Sequence, residues 1–355
     1  MAGELSAERY ANWNPLNCSG TEIPANILLM AKLLVVVVVL KGEWAGLPER
    51  YLPMIPALDW IPGAAFEWIL KGAFLLAATG LMVNRSVRTC CIILGVVFLL
   101  ALLGTRGYYR NSKFFIALMF IMAGLQERGR NSWIFPVQFA VMYFGSGLNK
   151  LFEPDWWDGQ YFHHWTHSIL EHRAGIYQTV AGFFPERWFS IAMGWMTIVV
   201  ELILLPILLL IPRLRSSGIW FAIAFHGVAL FMTRQEFGPF YAVLLVSYLS
   251  LVPWPTALSA ANATGTRWLK RLDTSHMLTL NESDEWFLST AERQFSGFRA
   301  VQRMTSLLPP LYLLGIFVLA APHVGSIGKY VVTVVGFVLY FPATAYAVDW
   351  IRRRP

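Results

Sequence analysis

Ten long apolar runs, almost free of charge, dominate this sequence, at 23–40, 66–83, 88–105, 114–125, 133–149, 190–212, 217–233, 238–253, 305–321 and 330–348. A run of roughly 20 apolar residues is what an α-helix needs to cross the hydrocarbon core of a bilayer. Inside that core every backbone N–H and C=O must be satisfied within the protein, which leaves only helices and closed barrels. A barrel would read as alternating segments of about ten residues, and these runs do not alternate. The expected fold class is therefore all-α, a polytopic helical membrane protein with about 8–10 transmembrane helices. The uncertainty in number comes from 114–125, short enough to be re-entrant or buried. Composition agrees: hydrophobic residues make up 56% and charged residues 14%, against about 25% charged in a soluble domain. The formal charge of +7 then reports topology and lipid contact rather than a nucleic-acid footprint. The lipid bilayer is the expected partner, and no nucleic acid is.

Lysine and arginine are richer in the loops that include 85–88, 128–130, 213–215, 267–303 and 352–354 than in the opposite set. That bias predicts both termini in the cytoplasm and residue 150 on the outer side. No cleavage pattern follows the first run, which is expected to act as an uncleaved anchor. The polar stretch 254–304 mixes Trp, Phe and Leu with charge at roughly helical spacing. It predicts a cytoplasmic connector of amphipathic helices, with a packed connector as the plainer alternative. The C-terminal pair 305–349 completes a single domain over 1–355. Three cysteines, Cys18, Cys90 and Cys91, imply no disulfide framework. There is no CxxC, P-loop or nucleophile elbow.

Chemistry concentrates where one apolar run ends, in GSGLNKLFEPDWWDGQYFHHWTH, beginning at Gly145. Gln138, Tyr143 and Lys150 are the polar points of that helix, and Tyr143 and Lys150, seven residues apart, share a face. Gly145, Ser146 and Gly147 are small enough to admit another backbone. An ionisable residue near hydrocarbon is a functional candidate, because leaving water disfavours a charged amine and makes its basic form accessible. The plainer reading is a lysine that snorkels to the interface beside an aromatic belt of Trp156 and Trp157. Glu201 lies within a run ahead of Pro206, which is expected to kink the helix, and must be protonated, paired or water-facing. His226 sits inside another run, where a satisfied core histidine is the plainer alternative. Lys32 and Lys71 fall near run starts and are expected to snorkel. No metal site is expected; His163 and His167, four apart in HHWTH, are weak candidates for sharing an ion if helical.

The pattern Gln138-x4-Tyr143-Phe144-x2-Gly147-x2-Lys150-Leu151 followed by PDWWDG resembles the core of the vitamin K-dependent carboxylase-like integral membrane family. ELILLPILLLIPRLR, with Glu201, and AFHGVALFMTRQEFGPFYAVLL, with His226, are similar to its next two blocks. The resemblance is best over 110–255 and concerns the transmembrane domain only. Lipase maturation factors show a related, more distant segment. In the carboxylases, the lysine matching Lys150 is understood to deprotonate vitamin K hydroquinone. The resemblance thus implies Lys150 as general base, with His226 and Glu201 as its polar support. It also implies a quinone as the candidate cofactor, contacted by Gln138, Tyr143, Trp156 and Trp157. Two positions depart from the carboxylase pattern, Ser112 in place of a histidine and Asn149 in place of a lysine. With no counterpart to the large lumenal domain either, glutamate carboxylation is not expected.

Two functions follow as expectations. The first is an enzyme linked to a quinone or lipid cofactor. The alternative is a non-catalytic membrane factor for maturation, export or immunity, whose partner would be a secreted protein or peptide. A transporter ranks below both, since neither repeats nor paired broken helices are visible. The family's bacterial members make a bacterial plasma membrane the expected location.

Overall fold

A computed structural model describes residues 16–18, 21–127, 132–169, 175–185, 187–233, 239–252 and 255–260, then 267, 269, 273, 281–282, 285–290 and 294–300. Each apolar run from 23–40 to 238–253 forms helix. In order these are α1 (Ala25–Leu40), α2 (Gly63–Met82), α3 (Val87–Gly104), α4 (Asn111–Leu125), α5 (Ile134–Phe152), α6 (Pro154–Trp157), α7 (Gln160–His164), α8 (Gly175–Ala181), α9 (Trp188–Val199), α10 (Leu205–Leu210), α11 (Pro212–Thr233) and α12 (Pro239–Ser247). The continuous helical segment Trp188–Leu210, together with α2 and α3, is long and apolar enough to cross a membrane. Shorter apolar helices cover Ala25–Val39, Asn111–Leu125 and Phe240–Leu251. The protein is thus a mostly helical integral membrane protein. The expected helical pair 305–349 lies outside the described residues.

The chain divides into two compact units, 1–131 with 238–312 and 339–355, and 132–237 with 313–338. In the first, α3 and α4 run against each other at a distance set by two glycines. A Cβ on Gly95 would lie 2.8 Å from the Ala117 carbonyl oxygen, and one on Gly124 would lie 2.7 Å from that of Arg88. Asn26 on α1 donates its side-chain amide to the Leu249 carbonyl beyond α12, at 3.1 Å. Lys32, expected to snorkel, is instead wholly buried. Its ammonium donates to the carbonyls of Asn17 (2.8 Å) and Met82 (3.3 Å). Lys71 pairs with Glu67 one turn away.

The 254–304 stretch differs from its expectation. Four short strands, β1 (Pro255–Ala260), β2 (Asn281–Glu282), β3 (Phe287–Thr290) and β4 (Gln294–Ser296), form a sheet in the order β2-β1-β3-β4. Leu258 opposite Leu288 joins Leu269 and Ala300 in a small core. Helical spacing of the aromatic and charged residues lost here to cross-strand pairing: FLST carries Phe and Thr, which suit a pleated surface, while PTALSA, with Pro and two Ala, is a strand by its pairing with FLST rather than by propensity.

In the second unit, α5 packs on the segment that joins α9 to α10. That segment, Val200–Leu204, is a π-turn. Pro206 follows two residues later and has no N–H to offer the carbonyl one turn back, so the helix widens ahead of it. Where a kink at Pro206 is expected from sequence, the helix carries this π-turn, and Glu201 sits in it.

Candidate functional site

The site grows from one face of α5. Tyr143, Ser146, Gly147 and Lys150 recur at three- and four-residue spacing and so stack along that face. Gly147 is where the π-turn comes closest: a Cβ there would lie 2.5 Å from the Leu202 nitrogen. Only a residue without a side chain lets Glu201, the neighbour of Leu202, reach the end of α5.

Lys150 occupies the last turn of α5, and its ammonium donates to Glu201 Oε2 at 2.6 Å. Both side chains are largely buried, at 15% and 9% exposure. The same ammonium donates to Ser146 Oγ at 2.6 Å, with the Ser146 carbonyl at 3.5 Å. Its remaining side faces the Trp156 ring, 4.8 Å from the centroid. An indole face attracts a cation through its quadrupole, so this contact adds to the carboxylate and the hydroxyl. The lysine therefore does not snorkel freely: a carboxylate, a hydroxyl and an indole enclose it.

Trp156 is itself held. Its ring stacks on Tyr161 with centroids 4.0 Å apart and meets Phe162 edge-on at 5.4 Å. Its indole N–H donates to Glu153 Oε2 at 3.2 Å. The backbone of α6 is seated against α9, where a Cβ on Gly194 would fall 1.8 Å from the Trp156 carbonyl oxygen. Gly159, at φ +78, turns the chain back toward Ile191 in a conformation that favours glycine. The aromatic cluster PDWWDGQYF thus forms a rigid shoulder beside Lys150.

Two turns earlier on α5, the buried Tyr143 meets His226 of α11, with the hydroxyl 2.9 Å from Nε2. Their rings are stacked at 5.9 Å. By helix rise, Tyr143 and Lys150 are about 10 Å apart along the axis. The second unit thus carries two polar pairs on one helix face, Tyr143–His226 and Lys150–Glu201.

The other sequence candidates fall elsewhere. Gln138 is half-buried and twelve residues before Lys150, about 18 Å along α5 and off the shared face. Trp157 leans on Trp195, with ring centroids 6.5 Å apart. His163 stacks on His167 at 4.3 Å, where a π-turn over Trp165–Ile169 replaces a regular helix. His167 Nδ1 lies 3.0 Å from the His163 carbonyl. Burial, then the proximity of His167, pushes His163 below the ordinary histidine value. Among the described residues there is no cluster of three or more His, Cys, Asp or Glu side chains that could hold a metal ion. Sequence reasoning missed Ser146 as a polar partner, valuing it only for its small size. The available signal was its position one turn before Lys150, where a hydroxyl meets the following side chain.

A family model described as the HTTM domain matches residues 128–254. The resemblance read from the Lys150 block thus holds in this region. No curated protein and no solved structure matches the chain.

Proposed function

Starting from an integral membrane protein with an HTTM domain over residues 128–254, we propose that it is an acid–base enzyme acting on a lipid-soluble molecule with an acidic hydroxyl, of the quinol class. Lys150 is the proton acceptor in this reading. The observation that carries it is the 2.6 Å contact between Lys150 and Glu201.

The chemistry runs through this chain's own residues. With the ammonium on the carboxylate, transfer of one proton from Nζ to Oε2 leaves a neutral amine and a neutral carboxylic acid without separating charge. The amine then takes the proton of a substrate hydroxyl and becomes an ammonium beside the anion it has produced, favoured by the indole face of Trp156. Tyr143 and His226 form a second hydrogen-bonded pair on the same face of α5, able to orient a polar group or pass a proton. Exclusion of bulk water by the aromatic shoulder strengthens each of these interactions. A quinol suits the residues, with a hydroxyl for the polar row and an apolar body for the bilayer.

Trp156 supports the base in this reading: its ring stacks on Tyr161 and lies 4.8 Å from the Lys150 ammonium. By the lysine and arginine bias, both termini face the cytoplasm and Lys150 lies near the outer face in this reading, and the bacterial members of the family it resembles favour a bacterial plasma membrane.

The test is binding and turnover of a panel of quinones and quinols by the purified full-length protein in lipid nanodiscs. Saturable turnover that falls at least about 100-fold in Lys150→Ala, with folding retained, is expected for loss of a general base. Equal behaviour of wild type and Lys150→Ala toward every member of the panel would overturn the reading. The maturation, export or immunity factor would then take its place.

A further inference from the structure

A serine inside a helix ordinarily turns its hydroxyl back to the carbonyl four residues earlier, or out to solvent. Ser146 does something else, since its oxygen accepts from the Lys150 ammonium one turn ahead at 2.6 Å. That distance equals the one from the ammonium to Glu201, so the hydroxyl and the carboxylate hold Nζ from two sides. The chemistry of the two partners differs. A carboxylate can only accept a hydrogen bond, whereas a hydroxyl can accept or donate by rotating about one bond. When Lys150 is an ammonium, Ser146 accepts from it. When Lys150 is a neutral amine, the hydroxyl can turn and donate to its lone pair.

We propose that Ser146 is the positioning residue that keeps the Lys150 amine at Glu201 in both its protonated and its neutral state. This rests on the reading that Lys150 gives and takes a proton. Trp156 cannot fill the role, because an indole face attracts only the cation. Glu201 can hold the free amine only while it carries the proton taken from Nζ; once ionised, the carboxylate has no proton to offer it. Without Ser146, the flexible four-carbon side chain leaves its place whenever it is neutral and Glu201 is ionised, and the next proton transfer must wait for its return.

The experiment compares wild type with Ser146→Ala and Ser146→Thr as full-length proteins in nanodiscs. The free amine of Lys150 is labelled at fixed pH with 1-fluoro-2,4-dinitrobenzene, and the modified peptide is quantified by mass spectrometry. The reagent needs the lone pair that the serine hydroxyl occupies. Ser146→Ala is therefore expected to raise the labelling rate about tenfold, the size of one hydrogen bond. Ser146→Thr, which restores a hydroxyl, is expected to stay within about twofold of wild type. With a quinol substrate, Ser146→Ala should lower kcat with little change in KM, and Ser146→Thr should restore it. Labelling of Ser146→Ala at the wild-type rate would overturn the proposal. Wild type turning over no quinol would sink the acid–base reading instead, and the labelling rates would still decide whether Ser146 holds the amine.

Discussion

Each unit of the molecule sets a lysine on a glutamate beside an aromatic ring, and the two arrangements differ in ways that separate architecture from chemistry. In the first unit, Lys113 lies 3.4 Å from Glu43 and 3.2 Å above the Tyr108 ring. In the second, Lys150 lies 2.6 Å from Glu201 and 4.8 Å from the Trp156 ring. The first is a longer ion pair in which the glutamate follows the end of α1. The second has the length of a strong charge-assisted hydrogen bond and adds a serine hydroxyl on the same ammonium. The tyrosines differ in the same sense. Among the described residues the buried Tyr108 hydroxyl has no hydrogen-bond partner, whereas that of Tyr143 meets His226. A lysine on a glutamate near a ring is therefore no sign of a reactive site by itself. A short contact between two titratable groups, backed by a second polar pair on the same helix face, is a stronger one.

The largest effects that could break this contrast are on activity. Lys150→Ala should reduce quinol turnover at least about 100-fold, while Lys113→Ala should leave turnover per folded molecule within a few-fold of wild type. Comparable losses in both would mean that the two pairs do similar work. Next come the partners' contributions to stability, read from thermal unfolding in nanodiscs. Removing the carboxylate in Glu201→Ala strands a largely buried ammonium and should cost about 3–5 kcal/mol. Glu43→Ala, at a longer but equally buried pair, with 8% and 12% side-chain exposure, should cost less, about 2 kcal/mol, the loss of one hydrogen bond to a charged group. Equal costs would erase the distinction drawn from the distances.

Within α5, two glycines offer a sharper version of the test. Gly147→Ala drives a methyl to within 2.5 Å of the Leu202 nitrogen, while an alanine at Gly145 meets nothing within 4 Å. The first should cost about 2–3 kcal/mol by overpacking, and the second should gain about 0.5–1 kcal/mol from helix propensity. Should both changes stabilise, the close approach that delivers Glu201 would be refuted. Smaller still, Tyr143→Phe should destabilise by about 1 kcal/mol through loss of its bond to His226. Tyr108→Phe should be neutral or stabilising by up to about 1 kcal/mol, because its hydroxyl is buried unbonded.

The weakest effect concerns pH. His163 has a lowered folded value, so the folded state binds its proton less readily than the unfolded chain does. That contribution to stability is complete above the ordinary histidine value of about 6.5 and is lost as pH falls through the lower folded one. Arg187, His164 and His167 are the charged neighbours that favour this direction. Unfolding of His163→Gln should show a shallower loss between pH 7 and 5 than wild type, and an unchanged slope would assign the effect to other groups.

The residues of a membrane span are legible because the bilayer imposes one rule over a length of about 20 residues, so the apolar runs alone locate α1 to α5 and α9 to α12, and not the short helices α6 to α8. Lys150, Glu201 and His226 stand out for the same reason, as polar groups where such groups are costly. Local pattern stops there. Lys32 reads as an interfacial lysine and proves buried, because only packing brings the carbonyls of Asn17 and Met82 to its ammonium. The 254–304 stretch reads as amphipathic helix and contains a sheet, because strand pairing depends on residues as distant as Leu258 and Leu288. Spacing puts Gly147 and not Gly145 on the Tyr143–Lys150 face, but only the path of the π-turn shows that a backbone passes against Gly147. What the sequence by itself determined, then, is a helical membrane protein with an exceptional lysine near the end of one helix. The tertiary structure alone decided that this lysine meets Glu201, 51 residues away, and that Tyr143 meets His226, 83 residues away. Contacts over such separations are set by how helices pack, and no local periodicity encodes them.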